Sequence, residues 1–554
     1  MALNITIDKT AVAASYPAGS TVATAVASGG TTPYTYSLAT GGDYFSIDAS
    51  TGVVTTKALM DVSSIQSFSV TVTDSNSTPE SITSGVVYPN IQAAQQSKFN
   101  KSNVIYKIVN DIDLGNAVLT IPANCTLNFQ GGSFSNGTIV GSNTKIKAGL
   151  TKIFGTDITL NGTWNIETAN VAWFGAYPSN ADNSDIIQHM IDIFGNSLRI
   201  GLQFNKGTYT LSKPLIVKDC IRFSIIGNTT TLQKITNTTT RITDPVQCSL
   251  GSVNGNIPVI LYLEKAVYFR LVDISFSSNG NNSAISLANC SNFEFDYVNI
   301  ENVLNGILHW NAWVGIYNKV SVSKAQVAFN FNSDRIEGTG VNNKGQTGTS
   351  VTMNSCYSNS CINGFFLNWL SYSTLNSCAC DSASVAYKCS KSQLTFNSCG
   401  QEVTKDIGFN ISNSHVVINS GLVTNSTLSL YAIYIKESKV TINNQYWTSN
   451  GTITLDLNSV LAVNNCTIDT SNIVFNNIAQ LVITEGIKTT FKSYNGSEYI
   501  TTVKNHNFNE SGTTANRPSI GTIGPGTLYY DTTLNKYICW NGTAWTNVDG
   551  STLA

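Results

Sequence analysis

Charge is what this chain lacks most. Lys, Arg, Asp and Glu make up 12% of its 554 residues, against roughly 25% in an average soluble protein. The formal net charge is -2, and no Lys/Arg-rich run occurs anywhere. A nucleic-acid partner calls for a basic patch or stripe, so none is expected. No stretch reaches the ~18 consecutive apolar residues of a membrane span, which argues against membrane insertion. Met1 to Ile7 has no basic start and no apolar run before a small-residue cleavage site. It does not read as a secretory signal, and assembly in a cytoplasm is expected. There is no P-loop and no dinucleotide fingerprint, and four histidines stand without motif context. The closest pairs among the twelve cysteines, Cys356/Cys361 and Cys378/Cys380, lack the paired C-x2-C spacing of a zinc site. They are read as buried thiols, and neither metal nor another cofactor is expected.

Polarity comes instead from Asn, Ser, Thr and Gly, beside 42% hydrophobic and 10% aromatic residues. That is too apolar for a disordered chain. It suits stacked β-coils, where like charges in register would repel on every rung. Length alone calls for several domains or a repeat. Residues 1–86 read as a small β-domain, with alternating runs such as "FSVTVTD" (Phe68 to Asp74) between turn-forming stretches. Its "YTYSLATGGDYFSIDASTGVVTT", closed by "VTVTDSNSTP", resembles the cadherin-like and related immunoglobulin-like repeats. Cadherins bind calcium between domains through clustered acidic motifs, and only Asp48, Asp61 and Asp74 stand here. Calcium needs six to eight oxygens, so a spacer or attachment module is the expectation.

Residues 87–165 form a linker and a lead-in of strand-sized pieces: Val118 to Ile121, Thr126 to Phe129, Thr138 to Val140 and Lys145 to Lys147. They alternate with Gly/Asn/Ser turns. This resembles the segment preceding the β-helix in phage and prophage fibre proteins, where it caps the first coil's open edge. Next come "VAWFGAYPSNADNSDIIQHMIDIF" and "LQFNKGTYTLSKPLIVKDCIRFSIIGNTTTLQ". Asp182 or Asp185 is placed to cap a short helix whose Ile186, Ile187, Met190, Ile191 and Phe194 share one stripe. The order of "FGA", then Asp and "IQ", then "F-x-x-G-x-Y" resembles the N-terminal signature of the pectate-lyase superfamily. The resemblance implies a right-handed parallel β-helix with the helix covering its open end. It implies no particular chemistry.

Periodicity supports that fold independently. "VTMNSC", "STLNSC", "LTFNSC", "VVINSG", "VTINNQ" and "LAVNNC" place Asn at 354, 376, 397, 419, 443 and 464. Repeats in the low twenties mark a solenoid, expected over 166–504 with roughly a dozen coils from about residue 200. Val351/Met353, Leu394/Phe396 and Val416/Ile418 should point inward, with the Asn at a corner in the αL conformation. Cys356, Cys378 and Cys399 follow in step, as an inward column. The fold class is therefore all-β, with a sandwich-like N-terminal domain and a small β-domain at 505–554. That last segment has a hairpin pattern around "DTTLNK" and "WNGTAW". It resembles the terminal segment of phage and prophage tail proteins, especially those of gut Bacteroidales. Its Tyr529, Tyr530, Trp540 and Trp545 either stack on sugar rings or form a core.

Together these resemblances imply a homotrimeric tailspike or tail fibre in the virion tail. It would dock on other phage tail proteins through its N-terminal region and meet bacterial surface polysaccharide as binder, depolymerase or inert fibre. Glycoside hydrolysis requires two suitably spaced carboxyl groups. Aligning Phe269 to Phe276 over Phe295 to Asn302 and Ile316 to Lys324, anchored on Val272, Val298 and Val320, gives three outward columns. These are Arg270/Asp296/Asn318, Asp273/Asn299/Ser321 and Ser275/Glu301/Ser323. Asp296, Glu301 and Asp273 are then the candidate catalytic carboxylates, and Arg270 and Glu294 glycan contacts, with His309 and Trp310 on the rim. The polar excursion carrying Asp334, Arg335 and Glu337 is a second candidate binding element.

Overall fold

The computed structural model describes residues 2–9, 18–57, 67–87, 96, 98–236, 238–241, 256–332, 348–423, 431–444, 446–447, 451–464, 466, 473–475, 479–483, 511–518 and 528–553. It falls into two compact units, 1–210 with 220–230, and 211–219 with 231–554.

The first unit begins with two small antiparallel sheets. One orders Asn4–Lys9, Thr21–Ser28, Val53–Thr56 and Phe45–Ile47, and the other orders Thr35–Thr40, Ser69–Thr73 and Ser81–Thr83. Their alternating residues bury Val22, Val54, Val70 and Val72 around the Phe45–Phe68 ring pair, 5.0 Å between centroids. Asp48 and Asp74 organise turns. The first accepts the Ser50 and Thr51 N–H groups, the second those of Glu80 and Thr31. Asp61 lies outside the described residues. From Ile105 to Trp164 the strands pair in parallel, so this segment already coils. Its Phe129, Phe134 and Phe154 stack edge to face.

The expected helix spans Ser184–Met190 and continues as a π-turn over Ile191–Leu198. Asn183, not an aspartate, holds the N-cap position, and its side chain turns back to accept the Tyr177 N–H. Asp182 accepts the first helical N–H, from Ser184 at 2.9 Å. Ile187, Met190, Ile191 and Phe194 are buried, with Ile186 half-buried. Phe194 meets the edge of Phe174, 6.0 Å away.

The coiled region is a parallel β-solenoid of about 14 turns. Within the second unit each full coil presents three faces. In the coil from residue 373 these are Ser373–Asn376, Ala379–Asp381 and Val385–Ser390. The asparagine period becomes a physical ladder along the first face. Asn354, Asn376, Asn397, Asn419, Asn443 and Asn464 stack in register on Asn318. Each donates its side-chain N–H to the oxygen of the one before, at 2.7–2.9 Å. The αL conformation falls one residue later than expected, on Ser355, Ser377, Ser398, Ser420 and Asn444. The asparagines keep extended backbones, so both donor and acceptor of each amide stay in line. Replacing Asn397 by Ala removes two such bonds. The expected cost is about 1–2 kcal/mol, read as a lower denaturant midpoint.

Inside, Phe329, Phe365, Tyr387 and Phe409 form a face-to-face stack with centroid steps of 4.6, 5.0 and 4.6 Å. The inward pairs expected from the repeat are buried, as are Cys356, Cys378 and Cys399. These thiols donate to the carbonyls of Tyr317, Met353 and Leu375 on the preceding coil. Gly364 has no room for a side chain, since a Cβ there would sit 2.4 Å from the Cys380 sulfur.

Candidate functional site

Strand pairing in the early coils sets which side chains meet. Arg270 stacks on Glu294, and Val272 on Asp296. Asp296 in turn pairs with Asn318. The expected Arg270/Asp296 column is therefore displaced by two residues. Val272 is no inward anchor: it is half-buried on the outer face, while Leu271, Phe295 and Tyr317 fill the interior. The Arg270 Nε lies 3.0 Å from Glu294 Oε2, in a largely exposed ion pair that contributes ~0–1 kcal/mol. Asn318 Nδ2 reaches the other Glu294 oxygen at 3.5 Å. The ladder thus ends on a carboxylate.

Asp273 does not stack over Asn299. With φ of 51° it occupies the αL corner, as do Tyr297 at 52° and Lys319 at 51°. Lys319 bonds the Tyr297 hydroxyl, and that contact first, with Asp296 last, holds its ammonium above the usual lysine range.

Beyond this corner the second face begins. Here Asn299 pairs with Ser321 and Glu301 with Ser323 as expected, but Ser275 lies over Asn299 and Ser277 over Glu301. These six side chains line most of a groove of about 390 Å³. Glu301 is held 2.7 Å from the Lys324 Nζ. Hydroxyl, amide and carboxylate groups stand side by side there.

Asp296 and Glu301 therefore occupy different faces, separated by a corner. Five residues of extended chain span up to about 16 Å, whereas glycosidase carboxyls stand ~5–9.5 Å apart. Glu294 and Asp296 are two residues apart on one face, a spacing of about 7 Å. That spacing lies within the glycosidase range.

Neither rim residue is on a rim. His309 points into the bore, where Nε2 donates to the Ala312 carbonyl and Nδ1 faces the Tyr317 hydroxyl, both at 2.9 Å. Burial pushes it down to about 4. Trp310 is 1% exposed, packed among Val259, Tyr262, Ala288 and Leu308, so its face is closed to a sugar. Asp334, Arg335 and Glu337 lie outside the described residues.

Two acids were missed. Asp381 and Glu402 stack directly on each other along the second face. Tyr357 donates to Asp381 Oδ2 at 2.6 Å, which with burial pushes its phenol up to about 12. Both acids fall three residues after an inward cysteine, Cys378 and Cys399, a regularity that placed them on this face.

Tyr529, Trp540 and Trp545 form a core, while half-buried Tyr530 packs on the exposed Tyr537 instead. Tyr529 and Trp540 are 3% exposed, and Trp545 packs on both within 5.8 Å. Beside them Asp531, fully buried, binds Arg517 Nε and Nη2 at 2.7 Å and accepts from Thr514.

Among the described residues no cluster of three metal-ligating side chains occurs, and no helix is long and apolar enough to cross a membrane. No protein-family model and no curated protein matches the chain. Solved structures do resemble it. The tailspike gp42 of Acinetobacter phage vb_AbaP_AS12 shares 14% identity over 67% of this chain and 74% of its own, with a TM-score of 0.45. The enzymatically active domain of tailspike protein 2 from bacteriophage CBA120 shares 12% over 58% of this chain and 48% of its own, at 0.40. The catalytic unit of the GH87 alpha-1,3-glucanase from Streptomyces thermodiastaticus shares 9% over 61% and 68%, at 0.45.

Proposed function

We propose that this chain is the body of a phage tailspike or tail fibre, a homotrimer in the virion tail that binds bacterial surface glycan. The observation that carries the reading is the second-face groove, where Ser275, Ser277, Asn299, Glu301, Ser321 and Ser323 present hydroxyl, amide and carboxylate groups side by side. Such groups exchange hydrogen bonds with sugar hydroxyls on a scaffold whose strands need no rearrangement. The region before the coils serves as attachment to other tail proteins, and the particle is assembled in the host cytoplasm. Labelled protein should adsorb to a subset of bacterial strains and lose adsorption when their capsule is stripped. A bulky Asn299→Trp substitution should reduce binding at least tenfold. Equal adsorption to stripped cells would remove the glycan.

A depolymerase is the second reading, favoured by the one-face pair Glu294 and Asp296. On capsule from a bound strain, Asp296→Asn should lower oligosaccharide release by ~10²–10⁴-fold while leaving adsorption to the cells in place. Capsule bound but never shortened by the wild type would return the protein to a binder.

A further inference from the structure

The second face does not stop at the groove. On the rung after it, Tyr357 stacks on Ser321 and Asn359 on Ser323. Ala379 and Asp381 follow, then Gly400 and Glu402. These three rungs carry the face about 14 Å further at the spacing of paired strands. Tyr357 donates to Asp381 Oδ2 at 2.6 Å. Asp381 stands one rung on and in the neighbouring column, so the ring leans across Ala379 to reach it. Alanine there and glycine on the rung after leave room for that lean. Tyr357 is half-buried, as befits a ring with one face against the strands and the other toward solvent. A ring fixed in advance loses little freedom when a ligand stacks on it. Charge around it is one-sided. Among the described residues no ion pair involves Asp381 or Glu402, while Lys324 beside the groove is taken by Glu301.

We propose that Tyr357 is a stacking platform that extends the groove, and that the glycan it takes lies along the coil axis and carries no acidic groups. The assignment rests on the glycan-binding reading above and adds a subsite and a substrate class to it. Two adjacent columns of outward side chains, many rungs long, fit a linear polymer running with the axis and not across it. At the platform a sugar ring lays its C–H face on the tyrosine. Its hydroxyl or amino groups then donate to the carboxylates of Asp381 and Glu402, which have no cation of their own. An acidic sugar would set like charge against both, and such juxtaposition rejects a ligand more sharply than a missing contact does.

The test is the Kd of the full chain for immobilised capsule, purified from strains to which it adsorbs and analysed for sugar composition. Tyr357→Ala should raise Kd about tenfold, the loss of one aromatic contact. Tyr431→Ala, on a third-face strand, should leave it unchanged. Tyr357→Phe keeps the ring and loses its anchor, so a rise of about threefold is expected. Far-UV circular dichroism of each variant separates a lost contact from a lost fold, and the phenylalanine variant decides if the alanine one does not fold. Wild-type Kd in the folded Tyr357 variants would overturn the platform and leave the groove standing, since Asn299→Trp would still weaken binding. Tight binding of a uronate-rich capsule would overturn the substrate class. A wild type that binds no capsule would overturn the glycan reading and the platform with it.

Discussion

Replacing Tyr387 with alanine is expected to lower the stability of the coil by about 3–5 kcal/mol, the range for emptying a large aromatic site in a close-packed core. The ring is fully buried between Phe365 and Phe409, 5.0 and 4.6 Å away, and Phe396 meets its edge at 5.3 Å. Its hydroxyl lies 2.8 Å from the Gly400 carbonyl and 3.1 Å from that of Cys378. Rungs on both sides are fixed by parallel pairing and cannot collapse into the void. Tyr387→Phe keeps the stack and forfeits only the hydroxyl contact, so about 1 kcal/mol is expected. Denaturant midpoints of the two variants check both values. Equal losses would mean that the stack contributes nothing beyond the hydroxyl.

Acid should weaken the same bore through His309. Its imidazole is enclosed by Phe331, 4.4 Å between centroids, by Phe293 at 5.9 Å and by Tyr317 at 6.2 Å. Both ring nitrogens are occupied, Nε2 as donor to Ala312 and Nδ1 as acceptor from Tyr317. A proton on Nδ1 would displace that hydroxyl and leave a charge among aromatic rings. The folded value of about 4 lies below the ordinary 6.5. As pH falls through 6.5 the unfolded chain takes up a proton that the folded chain refuses. Stability therefore declines from pH 6.5 down to about 4 and levels off below, a loss of about 3 kcal/mol. In His309→Gln this component should vanish. The difference between the wild-type and variant unfolding curves across pH 7 to 4 isolates it from the carboxylates. Parallel curves would show that the imidazole is not enclosed as described.

Much of this architecture was readable in the amino acids, and the exceptions have physical causes. The ladder from Asn354 to Asn464 could be seen because each coil spends nearly the same number of residues, and an amide that bonds its neighbour tolerates no substitute of different shape. Its earlier member Asn318 was hidden, since 36 residues separate it from Asn354 instead of one period. Alignment of the first acidic coils failed for a different reason. Val272 is branched and apolar, yet β-branched residues are equally at home on the outer surface of a strand. The left-handed residue at 273 also interrupts the in–out alternation, so parity counted through it is misleading. Aligning aromatics would have served better, because only the bore accepts Phe269, Phe293 and Phe295. Burial of Trp310 was not readable, because an outward position in a strand says nothing of what lies over it.

The amide chain along the first face is a translational device: every member offers its successor the same donor, acceptor and spacing. Excising or duplicating a complete period leaves the cut ends chemically interchangeable, whereas removing part of one turns interior side chains outward. Such a protein can lengthen or shorten its reach in whole steps without redesigning its ends.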